Sequence, residues 1–335
     1  MKKAASLIIA LALVMMTGCA DINLNFSGVS PFRNIRDEQL IESINNTVDE
    51  FIKAEGITDI SVGVLSGKEA RFINRGDNIN EHTKLPIGQM TTMFAGILVS
   101  NFEYNRWLGA DEYVSDWLKT PEQVPRYNGE RIKVWQLACN MSGLGDFDTF
   151  GKNYATAGMM YNQLENAEVK FEPGSEHYNS TLGYVLLCET IRQAYNINSN
   201  FVNLINNQVI VKMDLQNSAF ERKDALAAYD GYESTTYDLL KVVGYCTGSF
   251  EYDEGLTKTI SGALEERWSD GTGSGSLAFN IDKTGDNTVY FKAGSGDESV
   301  SYIAFIPELG IGVSINAMGS ADLSTLAGSL LGLVK

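Results

Sequence analysis

Three β-rich runs follow one another in residues 288–317, T-V-Y-F-K-A-G-S-G-D-E-S-V-S-Y-I-A-F-I-P-E-L-G-I-G-V-S-I-N-A. Runs of valine, isoleucine, tyrosine and phenylalanine that are bounded by Gly, Asp and Pro are typical of strands joined by short turns. The pattern predicts strands over Thr288–Ala293, Val300–Ile306 and Ile311–Ala317, with a turn around Pro307. The C-terminal part of the chain is therefore predicted to form a sheet.

The N-terminal part of the chain also contains a predicted β-hairpin, Ile60–Leu65 with Glu69–Asn74, joined by a glycine turn. Amphipathic spacing predicts helices over Asp37–Ala54 and Leu323–Val334. The middle of the chain has a mainly helical pattern. Strands at both ends predict an α+β fold, in which both termini form an antiparallel sheet flanked by helices, with an all-α insertion at about residues 91–250.

Composition excludes several classes of function. The 335 residues are 44% hydrophobic, and 26 Lys and Arg face 42 Asp and Glu, a formal charge of -16. A negative field of this size repels phosphate backbones, so we expect no nucleic-acid partner. The two histidines, His82 and His177, form no zinc motif, and the four cysteines include no C-x-x-C pair. We expect neither a metal nor a cofactor.

The N-terminus has the features of an export signal. Lys2 and Lys3 precede an apolar run, Ala4–Met16, that suits a signal peptide and is shorter than the roughly 20 residues that span a bilayer. The following Met16-Thr17-Gly18-Cys19 resembles the bacterial lipobox, in which cleavage occurs before a cysteine that becomes diacylated. This resemblance implies that Cys19 is the lipidated mature N-terminus; a plain secretory signal is the alternative.

These features predict a signal peptide over residues 1–18, a lipidated tether over 19–36 and a folded domain over 37–335. The mature chain would hold 24 basic and 42 acidic residues, so its attachment must rest on acyl chains, of which two give stable anchoring. We expect an exported protein on the bacterial cell membrane or outer membrane, facing the periplasm or the exterior. Oligomeric state is left open. The other three cysteines are expected to include buried free thiols.

Six blocks, in order along residues 40–334, carry a family resemblance. They are Leu85-Pro86-Ile87-Gly88 with Met93-Phe94; Leu108-Gly109-Ala110-Asp111 with Trp117-Leu118; Ile132–Leu137 with Ser142-Gly143-Leu144; Pro173-Gly174 with Tyr184; Ser234-Thr235 with Asp238-Leu239; and Lys292-Ala293-Gly294-Ser295 with Tyr302–Pro307. The set resembles the serine β-lactamase and penicillin-binding-protein superfamily, in particular its class C and esterase branch. It implies a β-lactamase/transpeptidase-like α/β sandwich.

This chain departs from the family's catalytic motifs at the positions that the resemblance aligns. The S-x-x-K motif aligns to Gln89 and Thr92, and Y-S-N aligns to Asn179-Ser180-Thr181. Lys292 keeps the lysine of K-T-G, whose family role is to bind the substrate carboxylate, although a solvated edge-strand lysine is an equal alternative. A carboxamide such as that of Gln89 cannot attack a carbonyl carbon. We therefore assign no catalytic residue and predict Gln89, Asn179, Lys292 and Ser295 as ligand-binding residues.

Three functions fit these residues and motifs. The first is a membrane-anchored pseudoenzyme that binds a cell-envelope peptide or a small carboxylate, or that acts as a regulator. The second is a divergent esterase, D-aminopeptidase or carboxypeptidase that uses Thr92 or Tyr178 with Lys292. The third is an envelope scaffold whose cleft is filled by side chains.

Overall fold

The strands of both chain ends form one sheet of nine strands. The computed structural model describes residues 30–152, 154–196, 198–250, 252–283 and 285–335. The strands of the sheet are β1 (Arg33–Asn34), β2 (Ile60–Ser66), β3 (Glu69–Arg75), β7 (Glu266–Ser269), β8 (Ser274–Ser276), β9 (Asn280–Asp282), β10 (Val289–Ser295), β11 (Ser299–Ile306) and β12 (Ile311–Met318). Their order across the sheet is β1-β3-β2-β12-β11-β10-β9-β8-β7.

The helices lie on both faces of this sheet. They are α1 (Glu38–Glu55), α2 (Thr92–Tyr104), α3 (Val134–Ala138), α4 (Ala157–Leu164), α5 (Thr181–Tyr195), α6 (Phe201–Ile205), α7 (Ala227–Asp230), α8 (Thr236–Cys246), α9 (Glu254–Leu264) and α10 (Ser324–Leu333). The α+β prediction is confirmed, and the predicted strand pairs and terminal helices form close to their expected limits.

The pairing of β2 with β12 joins the two chain ends. The strands are antiparallel, with Ile60 opposite Ala317 and Ser66 opposite Ile311. Every other pair in this sheet is also antiparallel except β1 with β3, which is parallel. The N-terminal hairpin β2–β3 therefore lies near one edge of the sheet, with β1 outside it and the C-terminal strand β12 on its inner side.

Two apolar cores separate the helices into layers. One core lies under α1 and α10, where Ile44 and Leu330 are completely buried against the sheet. The other lies between the opposite sheet face and the insertion, and it includes Phe94 of α2 and Leu239 of α8. Because layers cover both faces of the sheet, β2 and β12 are almost continuously buried, although Ser, Gly and Asn alternate with the apolar residues of β12.

The insertion is not all-α, which corrects the sequence prediction. It contributes β5 (Ala219–Phe220) and β6 (Tyr232–Ser234), which form a second sheet with β4 (Leu85–Pro86), a strand that precedes the insertion, in the order β4-β6-β5. Strands of two or three residues show no alternation of apolar and polar residues, so the sequence gives no signal for them. β4 leads directly into the turn before α2 and fixes where that helix begins.

The predicted tether also ends earlier than residue 36. Arg33 and Asn34 form β1, and the Ile35 amide donates a hydrogen bond to the Ala70 carbonyl at 3.1 Å. Phe32 packs against aromatic rings, and Ile35 is buried. The compact unit therefore begins at Phe32. The sequence prediction extended the tether too far because Asn, Ser, Gly and Pro residues surround Phe32 and Ile35 in this segment.

Residues 1–29, with the predicted signal peptide and Cys19, lie outside the described residues. Cys139, Cys188 and Cys246 are free and buried, as expected from the sequence. Among the helices that the structure describes, none is both long and apolar enough to cross a membrane.

Candidate functional site

The turn that precedes α2 lies directly against the end of β10. A Cβ atom on Gly294 would lie 1.9 Å from the Ile87 carbonyl oxygen, and one on Gly88 would lie 2.0 Å from the Ser295 carbonyl oxygen. Gly88 also has a φ of 49°, which glycine adopts without strain. Glycine at both positions allows the two backbones to meet. As a result, Gln89 lies beside Ser295 at the end of β10.

Gln89 is exposed in the turn that precedes α2, next to Tyr229 of α7. Burial raises the pKa of Tyr229, the charges of Asp146 and Asp230 raise it further, and the Gln89 side chain opposes the rise. Burial raises the pKa of the Asp230 carboxyl as well, against the charge of Arg222. This side of the cleft is therefore acidic.

Thr92 and Tyr184 lie under Gln89, and both hydroxyls bind backbone carbonyls. The Thr92 hydroxyl donates to the Gln89 carbonyl oxygen at 2.8 Å, and that of Tyr184 donates to the Ala138 carbonyl oxygen at 2.6 Å. The two residues are 2% and 1% exposed. Burial raises the pKa of Tyr184, so its phenol stays protonated near neutral pH.

Lys292 is half-buried on β10, two residues before Gly294. Within the described residues its ammonium group forms neither a hydrogen bond nor an ion pair. Burial lowers the pKa of Lys292 to about 8, and the nearby Cys139 thiol opposes this shift. The Cys139 thiol is itself held protonated, because burial raises its pKa to about 12. Lys292 is thus a cation without a counter-ion in the described part of the protein.

The loop before α5 closes one side of the cleft. The His177 ring stacks on Trp268, with centroids 5.1 Å apart, and the His177 amide donates to Asp270 Oδ2 at 3.2 Å. Burial lowers the pKa of His177, and the positive charge of Lys292 lowers it further. Trp268 and His177 also line a cavity of about 740 Å³ along β7–β9. These contacts hold the loop next to Lys292.

Asn140 holds the next part of this loop. Its Oδ1 accepts from the Ser180 amide at 3.1 Å, its Nδ2 donates to Asn179 Oδ1 at 3.1 Å, and its carbonyl oxygen accepts from the Tyr178 amide at 2.8 Å. Asn140 is buried, whereas Asn179 is exposed. The loop position of Asn179 is therefore set by a side chain that follows α3.

A family model described as beta-lactamase matches residues 44–327. The chain belongs to this family. Its match extends from α1 to α10 and includes every residue of the cleft described above. A comparison of the sequence with curated proteins finds no significant match.

Solved structures with the same fold include several class C enzymes. A class C beta-lactamase is 16% identical, with a TM-score of 0.78 over 89% of this chain and 97% of the other. A beta-lactamase/D-alanine carboxypeptidase from Pseudomonas syringae is 15% identical, with a TM-score of 0.78 over 88% and 99% of the two chains. A class C beta-lactamase in complex with cefoxitin is 16% identical, with a TM-score of 0.75 over 88% and 98%. At this identity the likeness establishes the fold.

The predicted ligand-binding residues occupy three neighbouring segments. Gln89 and Ser295 meet through the contact between the turn and β10. Lys292 lies on the same strand as Ser295. Asn179 lies two residues after His177, whose ring is in the field of Lys292.

The structure does not connect the alternative hydroxyls with Lys292. The Tyr178 hydroxyl accepts from Lys170 Nζ at 3.0 Å, and that ammonium group also lies 4.1 Å from the centre of the Tyr178 ring. The Thr92 hydroxyl is bound to the Gln89 carbonyl. Within the described part of the chain, Lys292 is therefore positioned as a base for neither group.

Asn140 and Trp268 were not predicted from the sequence. Asn140 has a φ of 57°, and asparagine two residues after a helix is typical of such left-handed positions, so this signal was readable. Trp268 gave no signal, because a single tryptophan in a four-residue strand matches no pattern. No cluster of three or more potential metal ligands occurs in the residues that the structure describes.

Proposed function

We propose that this protein binds a carboxylate of the cell envelope non-covalently, as a pseudoenzyme that acts as a receptor or regulator. The observation that carries the proposal is the half-buried ammonium group of Lys292, which has no counter-ion within the described residues. Removing a cation from water is costly unless an anion pairs with it. A ligand carboxylate between β10 and the start of α2 would supply that anion.

The residues around Lys292 support binding rather than acyl transfer. Acyl transfer in this family needs a nucleophile and a base in the positions that Gln89, Thr92 and Asn179 occupy. An amide nitrogen is not nucleophilic, because its lone pair is delocalised into the carbonyl. Thr92 is buried, and its hydroxyl is already bound to a backbone carbonyl. No group in the described residues is positioned to remove its proton.

A peptide with a free C-terminal carboxylate fits the groups at the end of β10. Lys292 would pair with the carboxylate, while Ser295, Gln89 and Asn179 would supply hydrogen bonds. One of the similar structures is named a beta-lactamase/D-alanine carboxypeptidase, and this name guides the choice of probe. Peptides that end in D-Ala-D-Ala, such as peptidoglycan stem peptides, are the ligand class that we propose.

We place this activity at the membrane surface. The lipobox-like Met16-Thr17-Gly18-Cys19 supports cleavage before Cys19 and acylation of its thiol. Residues 20–31 would then link the lipidated Cys19 to the compact unit, which begins at Phe32. The acidic surface of the chain gives no help in attachment, so the acyl chains would carry it alone.

Calorimetric titration tests the proposal with two probes, N-acetyl-D-Ala-D-Ala and its C-terminal amide. We expect the acid to bind more tightly, because only the acid offers a full charge to Lys292. Equal affinity for acid and amide would overturn the proposal. Intact-mass spectrometry after incubation with penicillin and with a fluorophosphonate is the companion measurement. A stable adduct on either probe would favour the hydrolase that uses Thr92 or Tyr178.

A further inference from the structure

Asn140 binds three consecutive residues of the loop that carries Asn179. Its side chain bonds to the Ser180 amide and to the Asn179 side chain, and its carbonyl oxygen accepts from the Tyr178 amide. The side chain is only 7% exposed, so water does not compete freely for these bonds. Asn140 therefore determines the local geometry of the loop.

The Ser180 amide fixes the orientation of both asparagine side chains. A backbone N–H can only donate, so the atom of Asn140 that faces it must be the oxygen. The opposite end of the Asn140 amide is then an NH₂ group, which can meet only the oxygen of Asn179. The NH₂ group of Asn179 must in turn point away from Asn140. Rotation of either amide by 180° would place two donors against each other.

The outward NH₂ group of Asn179 is exposed and has no partner among the described residues. Asn179 stands where the resemblance places a tyrosine, whose hydroxyl can donate and accept. The fixed amide turns its donor NH₂ group outward and its oxygen toward Asn140. Lys292 presents only donors. The Asn179 NH₂ group and the Lys292 ammonium group therefore favour a ligand group that only accepts hydrogen bonds, such as a carboxylate. They disfavour an ammonium group or a primary amide, whose N–H groups would face these donors.

We infer that Asn140 is a positioning residue that makes Asn179 a donor toward the ligand and thereby sets the selectivity of the cleft for carboxylates. The inference rests on the proposed function for the identity of the ligand. The orientation of the two amides follows from the hydrogen bonds alone. Asn140 itself does not touch the ligand, and it acts entirely through Asn179.

The test is a double-mutant cycle on Asn140→Asp and Asn179→Leu, with N-acetyl-D-Ala-D-Ala as the probe. Aspartate tolerates a positive φ, and one of its oxygens can keep the bond to Ser180. Its other oxygen needs a donor, so the Asn179 amide must turn and present its oxygen to the ligand. We expect Asn140→Asp to weaken binding on the order of tenfold in addition to the effect of its charge.

The Asn179→Leu background isolates the effect of charge. There Asn140→Asp adds the same negative charge with no amide to turn, so we expect a smaller loss of affinity than in the parent chain. Equal losses in both backgrounds would overturn the inference. An unchanged thermal transition in Asn140→Asp would show that the loop remains folded.

Side-chain amide exchange in the ligand-free protein gives a readout that does not depend on the proposed function. We expect slow hydrogen exchange for the Asn140 NH₂ group, which is bonded and buried, and fast exchange for that of Asn179. The reverse pattern would overturn the inferred orientation. If the parent chain does not distinguish acid from amide, the proposed function fails, and the exchange pattern still decides whether Asn140 orients Asn179.

Discussion

Lys292 is held in an environment that disfavours its own charge. Burial lowers its pKa to about 8, and the described residues supply no carboxylate to compensate. The lowered pKa means that the unfolded chain binds a proton more strongly than the folded chain does. Between the folded value and the ordinary value of 10.5, the contribution of Lys292 to stability therefore rises with pH. Below pH 8 the folded protein carries the full cost of the Lys292 charge.

Carboxylate binding is expected to weaken as pH rises through the pKa of Lys292. The ligand stays ionised, so affinity should be nearly constant from pH 6.5 to 7.5 and should fall between about pH 8 and 10 as the ammonium group loses its proton. The pKa of His177 is lowered from 6.5, so this ring is neutral over that range and does not cause the fall. Calorimetric titration in a pH series measures the effect. A flat profile to pH 10 would exclude Lys292 as the charged partner.

The cleft residues could be located from the sequence because the blocks that surround them are local patterns. Gly88 and Gly294 keep their places in those blocks, and their backbone contact brings Gln89 to Ser295. The acidic side of the cleft could not be predicted in this way. Asp146, Asp230 and Tyr229 come from separate loops and from α7, and only the folded insertion brings them together.

At the scale of elements, β1 shows how a short segment can complete a sheet. It pairs over two residues only, so backbone hydrogen bonds contribute little to its position. Phe32 instead lies edge-on to Phe72, Tyr237 and Phe250, at centroid distances of 5.8, 5.3 and 5.4 Å. Side-chain packing therefore holds the start of the folded unit to β3 and α8.

Replacement of Phe32 by alanine is expected to destabilise the domain. Truncation of a fully buried phenylalanine costs ~3–5 kcal/mol, and Phe32 is half-buried, so we expect a loss of about 2 kcal/mol in the free energy of unfolding. Chemical denaturation measures the loss. Phe150→Ala is the matched control, because that ring is 67% exposed. Equal stability of the two variants would show that Phe32 belongs to the tether after all.

At the scale of the whole molecule, the sequence predicted the layers better than the connections between them. The strands of both chain ends could be predicted because β-branched residues recur along them, as at Ile311, Val313 and Ile315 in residues 311–318. The small sheet β4-β6-β5 was not readable, because its strands lie far apart in sequence and span two or three residues each. Such strands are stabilised by their neighbours in the fold and not by their own composition.

The attachment of the molecule to a membrane is predicted to depend on Cys19 alone. Cys19→Ser removes the acylated thiol and should move the protein from the membrane fraction to the soluble fraction. The thermal transition should not change, because the compact unit begins at Phe32. Mass spectrometry of the native N-terminus should show a diacylglyceryl group on Cys19. An unmodified N-terminus further along the chain would refute the lipid anchor.

Carboxylate binding through Lys292 is tested most directly by the affinity of Lys292→Met for N-acetyl-D-Ala-D-Ala, measured by calorimetry at pH 7. Methionine keeps most of the side-chain length and removes the charge. Hydrogen bonds to a charged group contribute ~1.5–3 kcal/mol, so we predict roughly 10- to 150-fold weaker binding. The free energy of unfolding should rise or stay the same, because a costly charge is removed. Lys283→Met, which removes a lysine paired with Glu266, is the matched control and should bind normally. Unchanged affinity in Lys292→Met would contradict a carboxylate-binding role for this cleft.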